Sequence, residues 1–252
     1  MAPDLPTHNN PRALSAQLLS PLIEGKSSLS QQLAALHTEL SPRDRAFVAE
    51  LCFGSMRFYP ELAGLIAQLL TKPLKPKDSD VQALLIIGAY QLRYLRVPDH
   101  AAIGETVAAT KELGKPWARG LVNGVLRNLQ RRGPQLEAAL TPAARQNHPS
   151  WLLDKLHRQW PEDWQAIVTA NNQAPPMTIR VNRLQHSRSG YLEQLKTAGI
   201  TANACELSDD GIQLQQAVDV HQLPGFDSGS CSVQGQRQES ANRNQRQRTA
   251  DS

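Results

Sequence analysis

Val81–Leu95 reads VQALLIIGAYQLRYL, and apolar side chains fall on nearly every side of the helix it would form. A helix that is apolar all round belongs at the centre of a bundle, with other helices on each flank. Asp78 or Ser79 offers the N-cap that opens it. The stretch therefore predicts an all-α bundle, and the sequence on either side should supply the surrounding helices.

It does so with dense punctuation. Upstream, Asn10-Pro11 places a capping residue before a proline at the first helical position. Ser41-Pro42 repeats the device, and Asp44 completes a capping-box-like S-x-x-D. The helix opened there carries Phe47, Val48, Leu51, Cys52 and Met56 as an apolar stripe. Pro60 opens another, with Leu62, Leu65, Ile66, Leu69 and Leu70 inward, and the proline-lysine segment Lys72–Lys77 ends it. Downstream, Pro98-Asp99 opens HAAIGETVAATKEL, and Pro116 opens WARGLVNGVLRNLQRR, which Gly133-Pro134 should stop. A short final pair lies around PSWLLDKLHRQW and EDWQAIVTANN.

The pattern changes after Pro175-Pro176. MTIRVN is rich in β-formers, SGYLEQLKTAGI is a short helix ending at Gly199, and GIQLQQAVDV alternates like a strand. A small α+β unit with three or so strands is expected from about residue 176 to 232. From Gly235 to Ser252 the apolar pattern vanishes into Gln, Arg, Asn and Ser, which predicts a disordered tail.

With 252 residues, 40% hydrophobic and 20% charged, the chain has the composition of a soluble globular protein. The N-terminus lacks a signal-peptide pattern and no apolar run reaches membrane-spanning length, so a membrane partner is not expected. Cys52, Cys205 and Cys231 lie far apart without a CxxC, which argues against a disulfide framework or a zinc site and fits a reducing cytoplasm. The seven histidines show no paired-ligand spacing, so no metal is expected. Neither G-x-G-x-x-G nor a Walker A loop is present. None of the cysteines has an obvious local activator, and Cys52 reads as a core residue.

Binding chemistry is better represented. The net charge is +4, but the Gly235–Ser252 segment carries half of it, so clustering is the better signal. Between Lys111 and Arg132, six basic residues (Lys111, Lys115, Arg119, Arg127, Arg131, Arg132) face a single acid, Glu112. On a helix, Arg119, Asn123, Arg127 and Arg131 step by four and share a face, while Leu121, Val125 and Leu129 form a different stripe. Such a face can engage phosphates and unstacked bases together; an ordinary solvated helix face has the same pattern. A second candidate is TIRVNRL, where strand alternation would turn Arg180 and Asn182 to one side.

SPRDRAFVAELCFGSMR (Ser41–Arg57), DVQALLIIGAYQLRYLRVPDHAAIGETVAATKEL (Asp80–Leu113) and GLVNGVLRNLQRR (Gly120–Arg132) together resemble the NusB-type RNA-binding domain. HPSWLLDKL (His148–Leu156), MTIRVNRL (Met177–Leu184) and LPGFDSGSCSVQ (Leu223–Gln234) resemble the segments C-terminal to that domain in the Fmu/Sun/RsmB family of ribosomal RNA cytosine-C5 methyltransferases. The resemblance implies a NusB-like helical domain over residues 9–140, a helical linker over 141–175, an incomplete α+β, RNA-recognition-like subdomain over 176–234, and a tail outside the family pattern over 235–252. Members of the family continue into a Rossmann-like domain that binds S-adenosyl-methionine, where a cysteine thiolate adds to C6 of cytosine after a CAAPGGK-like loop. No such loop occurs here, no cysteine follows a proline, and Ser230-Cys231 lies ahead of where that domain would begin. No catalytic or cofactor residue is therefore carried over.

The resemblance implies RNA binding, to small-subunit (16S) ribosomal RNA, by the N-terminal part of a methyltransferase that is inactive without its catalytic domain. The contact residues expected from charge and spacing are Arg119, Asn123, Arg127, Arg131 and Arg132, with Arg180 and Asn182 second. Two other readings remain open from the residues: a free-standing, antitermination-type RNA-binding regulator with a basic tail, and a protein-interaction scaffold without RNA contacts.

Overall fold

A computed structural model describes residues 10–29, 40–173, 175–206 and 208–234. Two compact units divide between Asn172 and Gln173. The expected tail over residues 235–252 lies outside the described residues.

The first unit is helical: α1 (Pro11–Ile23), α2 (Pro42–Arg57), α3 (Tyr59–Ala67), α4 (Ser79–Tyr94), α5 (Asp99–Glu112), α6 (Arg119–Ala138), α7 (Pro142–Gln146), α8 (Ser150–Gln159) and α9 (Trp164–Asn172). α4 is the stretch that announced the fold. Helices α1, α2, α3, α5 and α6 all pack against it. From Val81 to Gln91 every residue but Gln82 is buried, and each fully buried Leu or Ile there stabilises the fold by ~1.5–3 kcal/mol relative to an exposed one. Its one deep polar side chain is satisfied. Gln91 Oε1 accepts from Arg12 Nε at 2.9 Å, and Gln91 Nε2 donates to Ile87 O and Thr106 Oγ1, each at 3.2 Å.

The punctuation works largely as read. Asn10 Oδ1 accepts from Arg12 N at 2.9 Å ahead of Pro11. Ser41 Oγ accepts from Asp44 N at 3.1 Å and donates to Asp44 Oδ2 at 2.7 Å, closing the box at α2. Val48, Leu51 and Cys52 are fully buried, as are Leu62 and Leu65 of α3. Gly54 lets α2 lie against α4: a Cβ there would fall inside the Tyr90 ring.

Two readings need correction. Asp78 sits at the N-cap of α4 but makes no capping bond, because its carboxylate takes Lys115 Nζ at 2.7 Å instead. Gly133-Pro134 does not stop α6, which runs on to Ala138. Pro134 is exposed, whereas Leu136 just beyond it is 3% exposed and joins the core. A proline inside a helix costs ~3 kcal/mol, and the packing of that last turn offsets it.

The second unit is a four-stranded antiparallel sheet in the order β2-β3-β1-β4, from β1 (Thr178–Val181), β2 (Ala202–Ala204), β3 (Gly211–Leu214) and β4 (Cys231–Val233). One helix, α10 (Arg188–Thr197), connects β1 to β2. It is capped by Ser187 Oγ accepting from Gly190 N, and the chain leaves it through Gly199 at φ +75°. The fourth strand exceeds the three or so expected. Ile179 pairs with Ile212 and Val233, so one face is apolar, and Tyr191 and Leu195 of α10 complete its core. The other face carries Thr178, Arg180, Gln213 and Ser232.

Candidate nucleic-acid interface

Along α6 the residues divide cleanly. Val122, Val125, Leu126, Leu129 and Leu136 are buried, while Arg119, Arg127, Arg131 and Arg132 are exposed and Asn123 is half-buried. The stripe inferred from four-residue spacing is thus a real outward face.

Two of its guanidinium groups are held by amides rather than by carboxylates. Arg127 Nε donates to Asn123 Oδ1 at 3.1 Å, and Arg131 Nη2 donates to Asn128 Oδ1 at 2.9 Å. Among the described residues, Arg119, Arg127, Arg131 and Arg132 form no salt bridge. An amide orients the fork without neutralising it, so the remaining N–H groups and the full charge stay available to an anion.

Gly120 and Gly124 stand on the same side of the helix, about two turns and one turn ahead of Arg127 respectively. A Cβ at either position would meet nothing. Gly inside a helix costs ~0.5–1 kcal/mol relative to Ala, and no packing among the described residues accounts for it here.

Immediately before α6 the chain forms a 3-10 turn, Pro116–Ala118, that displays Trp117 with 55% of its surface exposed. Across from it runs the proline-lysine segment. Trp117, Pro73, Leu74, Lys75, Lys77 and the buried Asp78 line an open pocket of about 330 Å³. Lys115 ties the two walls together, its Nζ donating to Lys77 O at 3.0 Å and to Asp78 Oδ1 at 2.7 Å, with Asp80 at 3.6 Å. The hydrogen bond to Asp78 holds the Lys115 ammonium above the ordinary lysine range. Neither pocket nor exposed Trp was anticipated from sequence, although Lys-Pro-Trp-Ala-Arg does set an aromatic between cations.

In the second unit, Arg180 lies on the polar sheet face, with its Nε 4.0 Å from Asp210, which Arg183 approaches at 3.1 Å. Asn182 leaves the strand. Its Nδ2 donates to Gly229 O at 3.0 Å and its Oδ1 accepts from Leu184 N at 3.1 Å, so both ends of the amide brace the turn.

All three cysteines are buried and outside any disulfide. Burial pushes the Cys52 thiol up to about 12. Burial likewise raises the Cys231 thiol, against a hydrogen bond from Tyr191 Oη at 3.1 Å. Among the described residues no group of three His, Cys, Asp or Glu could hold a metal ion, and no helix is long and apolar enough to cross a membrane. The larger pocket, about 670 Å³, is lined by Glu61, Arg93, Glu137 and Arg145. Arg93 is paired there with Glu61 at 2.9 Å and Glu137 at 2.6 Å, and Glu61 also accepts from Tyr94 Oη and Asn147 Nδ2. That lining is internally neutralised and offers no glycine-rich cradle. It does not fit S-adenosyl-methionine.

Comparison with known proteins agrees with this architecture. Residues 9–131 match the NusB family, and residues 148–221 match the Methyltr_RsmF/B-like, ferredoxin-like domain. Proteins named Ribosomal RNA small subunit methyltransferase B are similar over most of this chain. The one from Pseudomonas putida is 52% identical over 227 residues, covering 89% of this chain and 52% of its own length. That from Pseudomonas syringae pv. tomato is 50% identical, with 89% and 51% covered, and that from Sodalis glossinidius 44% identical, with 90% and 53% covered. The chain thus spans about half the length of these curated relatives. In fold it resembles the crystal structure of PH0851, with a TM-score of 0.61 at 12% identity, covering 90% of this chain and 54% of that one. A NusB-family bundle followed by an RsmF/B-type ferredoxin-like unit, at about half identity to several relatives, places the chain in the Fmu/Sun/RsmB family.

Proposed function

We propose that this chain binds small-subunit ribosomal RNA in the cytoplasm, as the RNA-binding N-terminal part of a cytosine-C5 methyltransferase. The supporting observation is the outward face of α6, where Arg119, Arg127, Arg131 and Arg132 present charge that no described carboxylate neutralises. Arginine forks pre-oriented by Asn123 and Asn128 suit phosphates and the edges of unstacked bases. Arg180 supplies a secondary contact from the polar sheet face, and Asn182 holds the turn beside it. Three unpaired cysteines fit a reducing compartment.

Methyl transfer from S-adenosyl-methionine is the activity of the family, and we propose that the described residues contribute recognition to it and no nucleophile. All three thiols are buried, two of them with raised pKa, and a reactive thiol needs the opposite environment.

The test is anisotropy with labelled fragments of small-subunit ribosomal RNA against the full chain and its Arg127→Glu/Arg131→Glu variant. Specific binding by the wild type and its loss in the variant are expected. Equal affinity of the two would refute the chosen face.

A further inference from the structure

We propose that the pocket between Trp117 and the Pro73–Lys77 segment is a stacking site for one unstacked base of single-stranded RNA, with flanking phosphates on Lys75 and Lys77. The proposal rests on the RNA-binding reading and extends it to a second place on the surface with its own chemistry.

Three observations carry it. The first is the indole. Trp117 is 55% exposed on a 3-10 turn and shares the pocket lining with Pro73 and the half-buried Leu74. An exposed indole on the wall of an open pocket offers a stacking platform, and any base has the π-face to use it.

The second is size. About 330 Å³ lies at the small end of the ~300–1,000 Å³ spanned by ligand clefts, suited to a single ring system rather than to a folded segment.

The third is charge. Lys72, Lys75 and Lys77 are exposed and form no salt bridge among the described residues, and Arg119 stands two residues after the indole. Asp78, which lines the pocket, and Asp80 share Lys115 and so leave one negative charge, which Lys72, Lys75, Lys77 and Arg119 outnumber. The local field is therefore positive, which favours a polyanion over an apolar peptide. Lys115 acts as a positioning residue: its bonds to Lys77 O and Asp78 fix the distance between the lysine segment and the turn that carries Trp117.

The pocket also lies at the N-terminal end of α6, so a strand leaving it continues onto the Arg127–Arg131 face past Gly120 and Gly124. At those two positions no side chain stands in the way.

The experiment uses the full chain labelled with 5-fluorotryptophan. Trp117→Phe assigns the Trp117 fluorine resonance among the four tryptophans. Short single-stranded RNA is titrated in, alongside a strand of equal charge whose sugars are abasic. The Trp117 resonance should shift with the base-bearing strand and stay in place with the abasic one. Trp117→Ala should weaken base-bearing RNA at least ~fivefold, the low end of stacking losses, and Trp117→Phe should restore part of it. Lys75→Ala/Lys77→Ala should lower the salt dependence of both strands by about 1.4 in logarithmic slope.

RNA binding that needs Arg127 and Arg131 but ignores Trp117→Ala would overturn the pocket and leave the α6 reading intact. A wild-type chain that binds no RNA would overturn both. A Trp117 resonance that ignores RNA and moves with polyglutamate would assign the pocket to a protein partner and overturn the proposal.

Discussion

Replacing Arg127 and Arg131 with alanine should halve the salt dependence of RNA binding by the α6 face. Four arginines there lack a described carboxylate partner: Arg119, Arg127, Arg131 and Arg132. If each neutralises one phosphate of a single strand, the slope of log K against log salt is about −0.7 per contact, or about −2.8 for the face. A fourfold rise in salt then weakens binding about 50-fold. Without Arg127 and Arg131 the slope becomes about −1.4 and the same rise costs only about sevenfold. Cations elsewhere, including Arg237, Arg243, Arg246 and Arg248, add equally to both proteins, so the difference of about 1.4 isolates α6. Neither substitution removes a buried atom, and stability should stay within ~0.5 kcal/mol of wild type. The assay is anisotropy of a labelled single-stranded fragment at several salt concentrations, with thermal melts as the folding control. Parallel lines for the two proteins would refute the argument, because they would show that neither guanidinium displaces a counterion.

Other expectations concern packing and titration. Gly54→Ala should cost at least ~1–3 kcal/mol, since the new methyl displaces the buried Tyr90 ring, which donates to Glu50 at 2.5 Å; a melting temperature equal to wild type would contradict the close approach of α2 and α4. Gly124→Ala should stabilise the chain by ~0.5–1 kcal/mol in denaturant titrations, because its Cβ meets nothing. If RNA backbone passes close over α6, the same variant binds more weakly despite folding better; unchanged affinity would remove the glycine from the interface. Cys52 contributes a pH term. Its thiol is raised from 9.0 to about 12, so the folded state holds a proton that the unfolded state releases. The stabilising contribution is whole below about pH 9 and is lost as pH rises from there toward 12, at up to ~1.4 kcal/mol per pH unit. Comparison of wild type with Cys52→Ala at pH 8 and pH 10 should show wild type losing more; identical losses would mean that the thiol is not buried as described.

Local chemistry was legible wherever one or two residues decide the geometry. Asn10-Pro11 and Ser41-Pro42-Arg43-Asp44 announce helix starts because the cap and the proline act within a single turn. The all-apolar α4 announces its own burial. Gly133-Pro134 misled because a local stop signal competes with Leu136, whose burial depends on partners distant in sequence. Asp78 misled for a similar reason, its carboxylate being captured by Lys115 from beyond α5. β2 and β4 are three residues each, too short for alternation to register, and exist through pairing with β3 and β1. Within the site, four-residue spacing was enough to gather Arg119, Asn123, Arg127 and Arg131 on one face. Trp117 escaped notice because its pocket needs the Pro73–Lys77 segment, brought alongside by a bond that no periodicity encodes.

The central claim is that α6 meets RNA, and the most direct measurement is ultraviolet crosslinking of the full chain to small-subunit ribosomal RNA, with the linked peptides mapped by mass spectrometry. Crosslinks concentrated between Arg119 and Arg132, and diminished in the Arg127→Glu/Arg131→Glu variant, are the predicted result. Crosslinks that fall elsewhere and leave that segment unmarked would contradict it.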